Sequence, residues 1–315
     1  MERKVCCLLI LLTVSWPFRA QTVEKGPYTV YTIGEGVYRI EDANSSFPAG
    51  LKTDKDGKVM SMNNCFDMYL DTGQDKTLLI DLSNFIKWDT SAVASLRSII
   101  SEQVGNKELY ITVTHKHGDH LGMLPAFRDD KKVKFWIPEA EFRGMDIFPK
   151  ERTTFFPENA SMDLGGGYLI TTIEVPGHTE HGTLFFIKDR DMVFTGDALG
   201  SGSGVWLFNY ESFITYTKSI DDLIRYIENS ENHVNPEKLV LYGGHYWQRG
   251  SREKIGSEYI YDMKTLIEKI RKGTSEEIPV SNQFKYLDTN FRYGTATITW
   301  NKADAAKYAG TFSGS

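Results

Sequence analysis

The chain has 315 residues, 41% of them apolar, 25% charged and 13% aromatic, with a formal charge of −6. That composition excludes a disordered, collagenous or coiled-coil protein and supplies material for one large domain or two average ones. The acidic balance argues against a nucleic-acid partner, because phosphate contacts need surplus Lys and Arg.

The N-terminus begins Met1-Glu2-Arg3-Lys4, continues through an apolar run from Val5 to Val14 and reaches Arg19-Ala20-Gln21. A basic start, a greasy middle and a small residue before a polar stretch describe a secretory signal peptide over residues 1–20. The run is too short to span a bilayer, so cleavage after Ala20 is expected to leave no membrane span. Residues 1–20 hold three of the 36 basic and one of the 42 acidic residues, so the remainder carries 33 and 41, a formal charge of −8. Of three cysteines only Cys65 stays, and one cysteine forms no internal disulfide. Exported animal proteins are usually disulfide-rich, so a bacterial periplasmic or secreted protein is expected. No repeat, low-complexity tract or linker divides residues 21–315, which read as a single domain.

The first third reads as strands. Tyr28–Thr32 and Gly36–Ile40 flank a Gly-containing turn, as in a hairpin. Residues 43–63 are loop-like, and Cys65–Leu70 and Leu78–Leu82 are two further strands. The period then changes. Asp89 is placed to cap a helix with Val93, Leu96, Ile100 and Val104 on one face, and Gly105 supplies its stop. Strand Leu109–Val113 runs into a histidine cluster. Strands follow at 168–175, 183–188 and 191–195, then a helix bearing Phe213, Tyr216, Ile220, Leu223 and Ile227. Leu239–Tyr242 is another strand, a helix over 252–272 carries Tyr259, Met263, Leu266 and Ile270, and 293–300 reads as one more strand. Two halves of strands followed by helix point to packed sheets with helices outside.

The chemistry is concentrated in Thr114-His115-Lys116-His117-Gly118-Asp119-His120, directly after a strand. Four candidate ligands fall within six residues, an arrangement that suits two neighbouring ions: a histidine pair for one, Asp119 and His120 for the other. Imidazole with carboxylate is the ligand set of zinc and other first-row divalent metals. The alternative, a solvated loop rich in histidine, requires three of only seven histidines to fall together by chance. His178, Asp197 and His245 each follow a predicted strand in a Gly-rich turn, where glycine permits close backbone approach. Singly, a histidine after a strand is more often a hydrogen-bonded structural residue; the set is what counts. His181 lies near the set, and His233 sits in a polar loop.

This series of motifs, HxHxDH, then GHT, GD and GGH, resembles the metallo-β-lactamase-fold superfamily of metal-dependent hydrolases over roughly residues 28–272. The resemblance implies an α/β protein of αββα type, with two mixed sheets face to face, helices outside and the metals at one edge. It also implies that His115, His117 and His178 hold one metal, that Asp119, His120 and His245 hold a second, and that Asp197 bridges them. Two divalent ions are the implied cofactors, with zinc expected and iron or manganese also compatible. A hydroxide between them would attack, with Asp119 orienting it and handing a proton to the leaving group. Asp81 matches a position that supports the metal loop from behind, or else simply caps a strand end.

Departures narrow the branch. Many zinc β-lactamases have cysteine at the place of Asp197 and lysine three residues later, where this chain has Gly200. Diiron relatives have glutamate at the place of His117. Glyoxalase II relatives add a helical C-terminal domain, whereas the tail here is polar and β-like. The pattern is most similar to the glyoxalase II and lactonase branch. The expected activity is hydrolysis of an ester, thioester, lactone or amide-like bond of a small-molecule substrate. A phosphodiesterase, a single-iron sulfur dioxygenase and an idle binding protein on the same fold are the alternatives. Trp206 and Phe208 either stack on an apolar substrate group or anchor the next helix. Tyr246 and Trp247 line the mouth or pack beneath it, and His181 is a candidate contact to substrate or to a ligand.

Overall fold

The computed structural model describes residues 22–42, 52–53, 59–60, 66–87, 89–202, 204–246, 254–280 and 284–312. The expected signal peptide, Cys65 and Trp247 lie outside the described residues. Strands β1 (Thr22–Lys25), β2 (Tyr28–Gly34) and β3 (Val37–Asp42) form a meander, and β2 and β3 pair from Tyr28↔Asp42, as the hairpin pattern predicts. Short β4 (Lys52–Thr53) and β5 (Val59–Met60) pair with each other inside the stretch expected as loop. Next come β6 (Asp67–Thr72), β7 (Lys76–Ile80), α1 (Ala92–Val104), β8 (Glu108–Thr112), α2 (Pro125–Arg128), β9 (Val133–Pro138) and β10 (Thr153–Phe156). They complete a mixed sheet of order β1-β2-β3-β6-β7-β8-β9-β10, parallel from β7 onward.

The second mixed sheet takes β11 (Ser161–Asp163), β12 (Leu169–Glu174), β13 (Thr183–Ile187), β14 (Met192–Gly196), β16 (Val240–Gly243) and β17 (Ile255–Gly256). Between them β15 (Val205–Trp206) leaves the sheet and α3 (Tyr210–Glu228) crosses over it. The chain ends with α4 (Glu258–Arg271), β18 (Glu276–Pro279), β19 (Thr289–Tyr293), β20 (Ala296–Trp300) and α5 (Lys302–Gly310).

Strand alternation builds the layers, because successive side chains point to opposite faces. Leu78 and Ile80 of β7 join Phe185 and Ile187 of β13 and Phe194 of β14 in the core between the sheets. Leu79 faces outward to Leu96, Ile99 and Ile100 of α1. Leu184 and Phe186 face outward to Phe213, Tyr216, Ile220 and Leu223 of α3. Each such fully buried side chain contributes about 1.5–3 kcal/mol relative to exposure. This is the expected αββα sandwich.

Several local expectations need correction: the helix expected over 252–272 begins at Glu258, preceded by β17, and the tail expected as β-like ends in α5. The α1 helix starts one turn past Asp89, whose carboxylate instead accepts from the backbone N–H and hydroxyl of Ser91. Its inner face carries Ile99 rather than Val93, which is 39% exposed. The helix packs closely on the turn between β1 and β2, since a Cβ on Gly26 would collide with Ser95, which is buried there. Finally, the expected strand over 293–300 is the hairpin β19–β20, part of a third sheet of order β15-β20-β19-β18. Trp300 stacks on Phe213 with ring centroids 3.9 Å apart, which fastens this sheet to α3.

Candidate metal centre

Strands β12, β14 and β16 run in the same direction, since two antiparallel steps separate β12 from β14 and β14 is parallel to β16. Their C-terminal ends therefore lie along one edge, and each is followed by a candidate ligand: His178, Asp197 and His245. The loop after β8 in the other sheet brings His115, His117, Asp119 and His120 to the same place. All seven predicted residues come together, in three overlapping groups: His115–His117–His178, His115–His120–Asp197 and Asp119–His120–His245.

Glycines make room for this convergence. A Cβ on Gly244 would lie 2.9 Å from both the Asp197 carboxylate and the His120 ring. Gly196 has φ +50°, and a Cβ there would press on Thr114. The β14–β16 ladder also skips Thr195, a bulge of one residue just before Asp197.

In the first group, His117 Nδ1 lies 3.0 Å from His115 Nε2 and 3.0 Å from His178 Nε2. His178 Nδ1 donates to the Trp206 carbonyl at 2.9 Å, which leaves its Nε2 with a lone pair aimed at the site. Burial disfavours the charged form of these rings, and neighbouring imidazoles add to it. His115 is lowered far below the usual histidine range and His117 falls to about 4. They are neutral at pH 7, the form that ligates a cation.

The second group is flanked by carboxylates. His120 Nδ1 is 3.0 Å from Asp81 Oδ2, while Asp81 Oδ1 accepts from the backbone N–H of Thr114 at 2.7 Å. Asp81 thus buttresses the loop from behind, as the resemblance implied. Burial also opposes charge on His120, but Asp81 and Asp197 outweigh it and raise the ring to about 10. His245 Nε2 lies 3.3 Å from Asp119 Oδ2 and 3.5 Å from Asp197 Oδ2. Asp197 stands between the groups, with Oδ2 also 3.6 Å from His178 and Oδ1 3.6 Å from His120.

These residues fit a cation-binding centre. His117 Nδ1 stands 3.0 Å from two ring nitrogens at once and can share a proton with only one of them, whereas a cation among the three nitrogens would engage them all. The His120 Nε2 atom is buried with no hydrogen-bond partner, a cost that coordination removes. The nitrogen and carboxylate donor set matches a first-row divalent metal.

Several contributors carry no motif in the sequence. Ser201 donates to Asp197 Oδ1 at 2.7 Å and accepts from the His245 backbone N–H at 3.0 Å. Glu141, deeply buried, accepts from the backbone N–H of Lys116 at 3.0 Å and of His181 at 2.9 Å, strapping two ligand loops together. Asp67 accepts from the Tyr246 N–H at 2.7 Å, behind His245.

A cleft of about 520 Å³ opens over the group, and Trp206, Phe208 and Phe284 line it. His181 is not among its lining residues; its ring lies 2.9 Å from the Glu174 carboxylate. Tyr246 packs beneath the site, its ring under the Arg39 guanidinium at 4.4 Å. Among the described residues no helix is long and apolar enough to cross a membrane.

Comparisons with known proteins agree with this geometry. A probable metallo-hydrolase of Bacillus subtilis is 27% identical over 115 residues, covering 32% of this chain and 54% of the relative. A hydroxyacylglutathione hydrolase of Rhodopseudomonas palustris is 28% identical over 141 residues, 43% of this chain and 47% of the relative. An atrochrysone carboxyl ACP thioesterase of Claviceps purpurea is 24% identical over 183 residues, 55% and 48%. The chain thus spans about half the length of the curated relatives it matches. A solved metallo-β-lactamase from Pontibacter korlensis superposes with a TM-score of 0.54 at 16% identity, over 76% of this chain and 99% of that one, a likeness of fold alone. The family model of the metallo-β-lactamase superfamily matches residues 68–245, from the start of β6 to the last ligand, and the chain belongs to that superfamily.

Proposed function

We propose that the protein is an exported, dinuclear metal-dependent hydrolase, zinc being the expected metal, that cleaves an ester, thioester, lactone or amide-like bond. The observation that carries this reading is a single carboxylate, Asp197, standing within 3.6 Å of histidines from both ligand groups. His115, His117 and His178 would hold one cation, Asp119, His120 and His245 the other, and Asp197 would be shared. Two divalent cations supply Lewis acidity and ionise water near neutral pH.

The chain's own residues do the rest. Thr114, Asp81 and the Trp206 carbonyl fix the ring orientations, so the ligand nitrogens are aimed before any cation arrives. Asp119 keeps part of its carboxylate open to the cleft. Burial works against its charge, but His245 and His120 hold it down at about 2, so it is ionised at neutral pH. It can orient water and carry its proton. In the overall reaction the water oxygen bonds to the carbonyl carbon, the bond to the leaving oxygen, sulfur or nitrogen breaks, and Asp119 passes the proton to that leaving atom. The similarity to relatives named as a hydroxyacylglutathione hydrolase and an ACP thioesterase supports a carbonyl centre over phosphorus.

Elemental analysis of protein purified without a chelating tag tests the reading. The expected result is two zinc ions per chain, with ester hydrolysis lost on chelation and restored by zinc. Full activity in metal-free protein would overturn it, and one iron with oxygen uptake on a persulfide would replace it with the dioxygenase. Export rests on residues 1–20, and N-terminal sequencing of protein recovered from the periplasm or medium should find a start at Gln21.

A further inference from the structure

The cleft has two unlike flanks. At one, Asp119 stands against His245, 3.3 Å away. At the other, the ring of Phe208 lies 5.9 Å from His117 and 5.6 Å from His178, centroid to centroid. Phe208 belongs to a cluster: Phe284 sits 5.4 Å from it and 5.6 Å from Trp206, edge to face in both cases. The three rings come from separately anchored places. Trp206 is held in β15 by its pairing with Thr299 of β20. Phe208 precedes Asn209, the capping residue of α3, which exchanges hydrogen bonds with Ser212. Phe284 comes from the segment before β19 and remains 40% exposed. Trp206 and Phe208 therefore anchor the chain and also face the cleft.

We propose that Trp206, Phe208 and Phe284 form the specificity wall of this centre and that they accept an uncharged, apolar acyl group. This inference rests on the hydrolase reading above. The direction follows from proton bookkeeping: the leaving atom must be within reach of Asp119, so the acyl half of the substrate lies toward the opposite, aromatic flank. Its chemistry follows from the lining. The lining combines the Trp206, Phe208 and Phe284 rings with the Asp119 and Asp197 carboxylates, whose charge repels a carboxylate on the acyl chain. Aromatic faces reward apolar area instead. A volume of about 520 Å³ falls within the range of pockets that enclose small organic ligands.

The test uses the zinc-loaded full chain and p-nitrophenyl esters of acetic, butanoic, hexanoic and succinic acids. The wall predicts that kcat/KM rises about two- to fourfold per added methylene up to hexanoyl. Succinyl should fall below butanoyl by about tenfold or more, the cost of an unpaired charge on an apolar surface. Phe284→Ala, at a half-exposed position where folding is spared, should at least halve the hexanoyl-to-acetyl ratio, and Phe208→Leu should do the same. Calorimetric binding of octanamide and of succinamate, neither of which is required to react, reads the wall separately from the reaction. Octanamide should bind more tightly, and Phe284→Ala should weaken it. A flat or inverted chain-length series, or octanamide binding indifferent to Phe284, overturns the wall. If no ester is hydrolysed while octanamide still binds through Phe284, the reaction class falls and the wall stands.

Discussion

The two groups of the candidate metal centre both rely on histidine and stand in opposite electrostatic settings. Burial presses His115, His117 and His178 away from protonation, and the neighbouring rings reinforce it for His115 and His117. His120 and His245 are as deeply buried, yet carboxylates outweigh that burial and push both upward: Asp81 and Asp197 at His120, Asp197 and Asp119 at His245. The difference teaches that burial alone does not set the character of a buried histidine; the partner across from it does. The first group is ready for a cation by virtue of its own neutrality, whereas the second depends on the acids arranged around it.

The sharpest way to break that comparison is to neutralise an acid that belongs to the second group. Asp119→Asn should lower kcat by about 10²–10⁴, the usual worth of a positioned proton carrier, while the trio of His115, His117 and His178 retains its cation. Steady-state kinetics and metal stoichiometry on the same preparation check both halves.

A buried carboxylate with no imidazole opposite carries the comparison to its limit. Burial raises Asp71 to about 7, although the Tyr168 hydroxyl donates to it at 3.0 Å. Its folded value lies above its unfolded one, so the native state binds this proton more tightly. The resulting stability is present below about pH 4 and is lost as pH rises through 7, on the order of 2–4 kcal/mol. Asp71→Asn has no such proton to lose, so its stability relative to wild type should increase between pH 5 and pH 8. Denaturant titrations at the two pH values read the difference.

Asp81→Ala asks whether the second group owes its geometry to a residue that touches no substrate. Affinity for the second cation should fall about 10–100-fold, as for other supporting partners of metal-ligating histidines. The first cation should bind as before, which stepwise metal titration resolves. The smallest effect belongs to the neutral flank. A glutamine at position 141 can accept only one of the two backbone N–H groups that Glu141 accepts, so Glu141→Gln should cost about 1 kcal/mol of stability. Thermal unfolding measures it, and activity should change by less than tenfold.

The convergence of the seven candidate residues was legible in the sequence because each is tied within a few residues to the end of a predicted strand, and glycines at positions 177, 196, 243 and 244 mark the turns. Sandwich layering was legible for similar reasons, from local period and apolar runs. What escaped depends on contacts between distant segments. Val133 to Pro138 is nearly all buried on both faces, so β9 shows no alternation. Phe284 sits in a polar tail and becomes part of the cleft only because β18–β20 fold back beside β15. Ile99 lies on the inner face of α1 and Val93 does not, because the buried stripe runs through Ala92, Leu96, Ile99 and Ile100, one of two overlapping apolar stripes that the helix sequence offers.

The extra residue at Thr195 ties the chemistry of the site to the correctness of the sheet. Asp197 reaches both ligand groups only in the one pairing of β14 with β16 that leaves Thr195 unmatched. A slip of a single residue would carry Asp197 about 3.3 Å along the strand and turn it to the other face, where none of its three histidine contacts survives. A cation held at that carboxylate would favour the properly registered chain over misaligned forms by mass action. A centre filled in this way would proofread the fold that builds it.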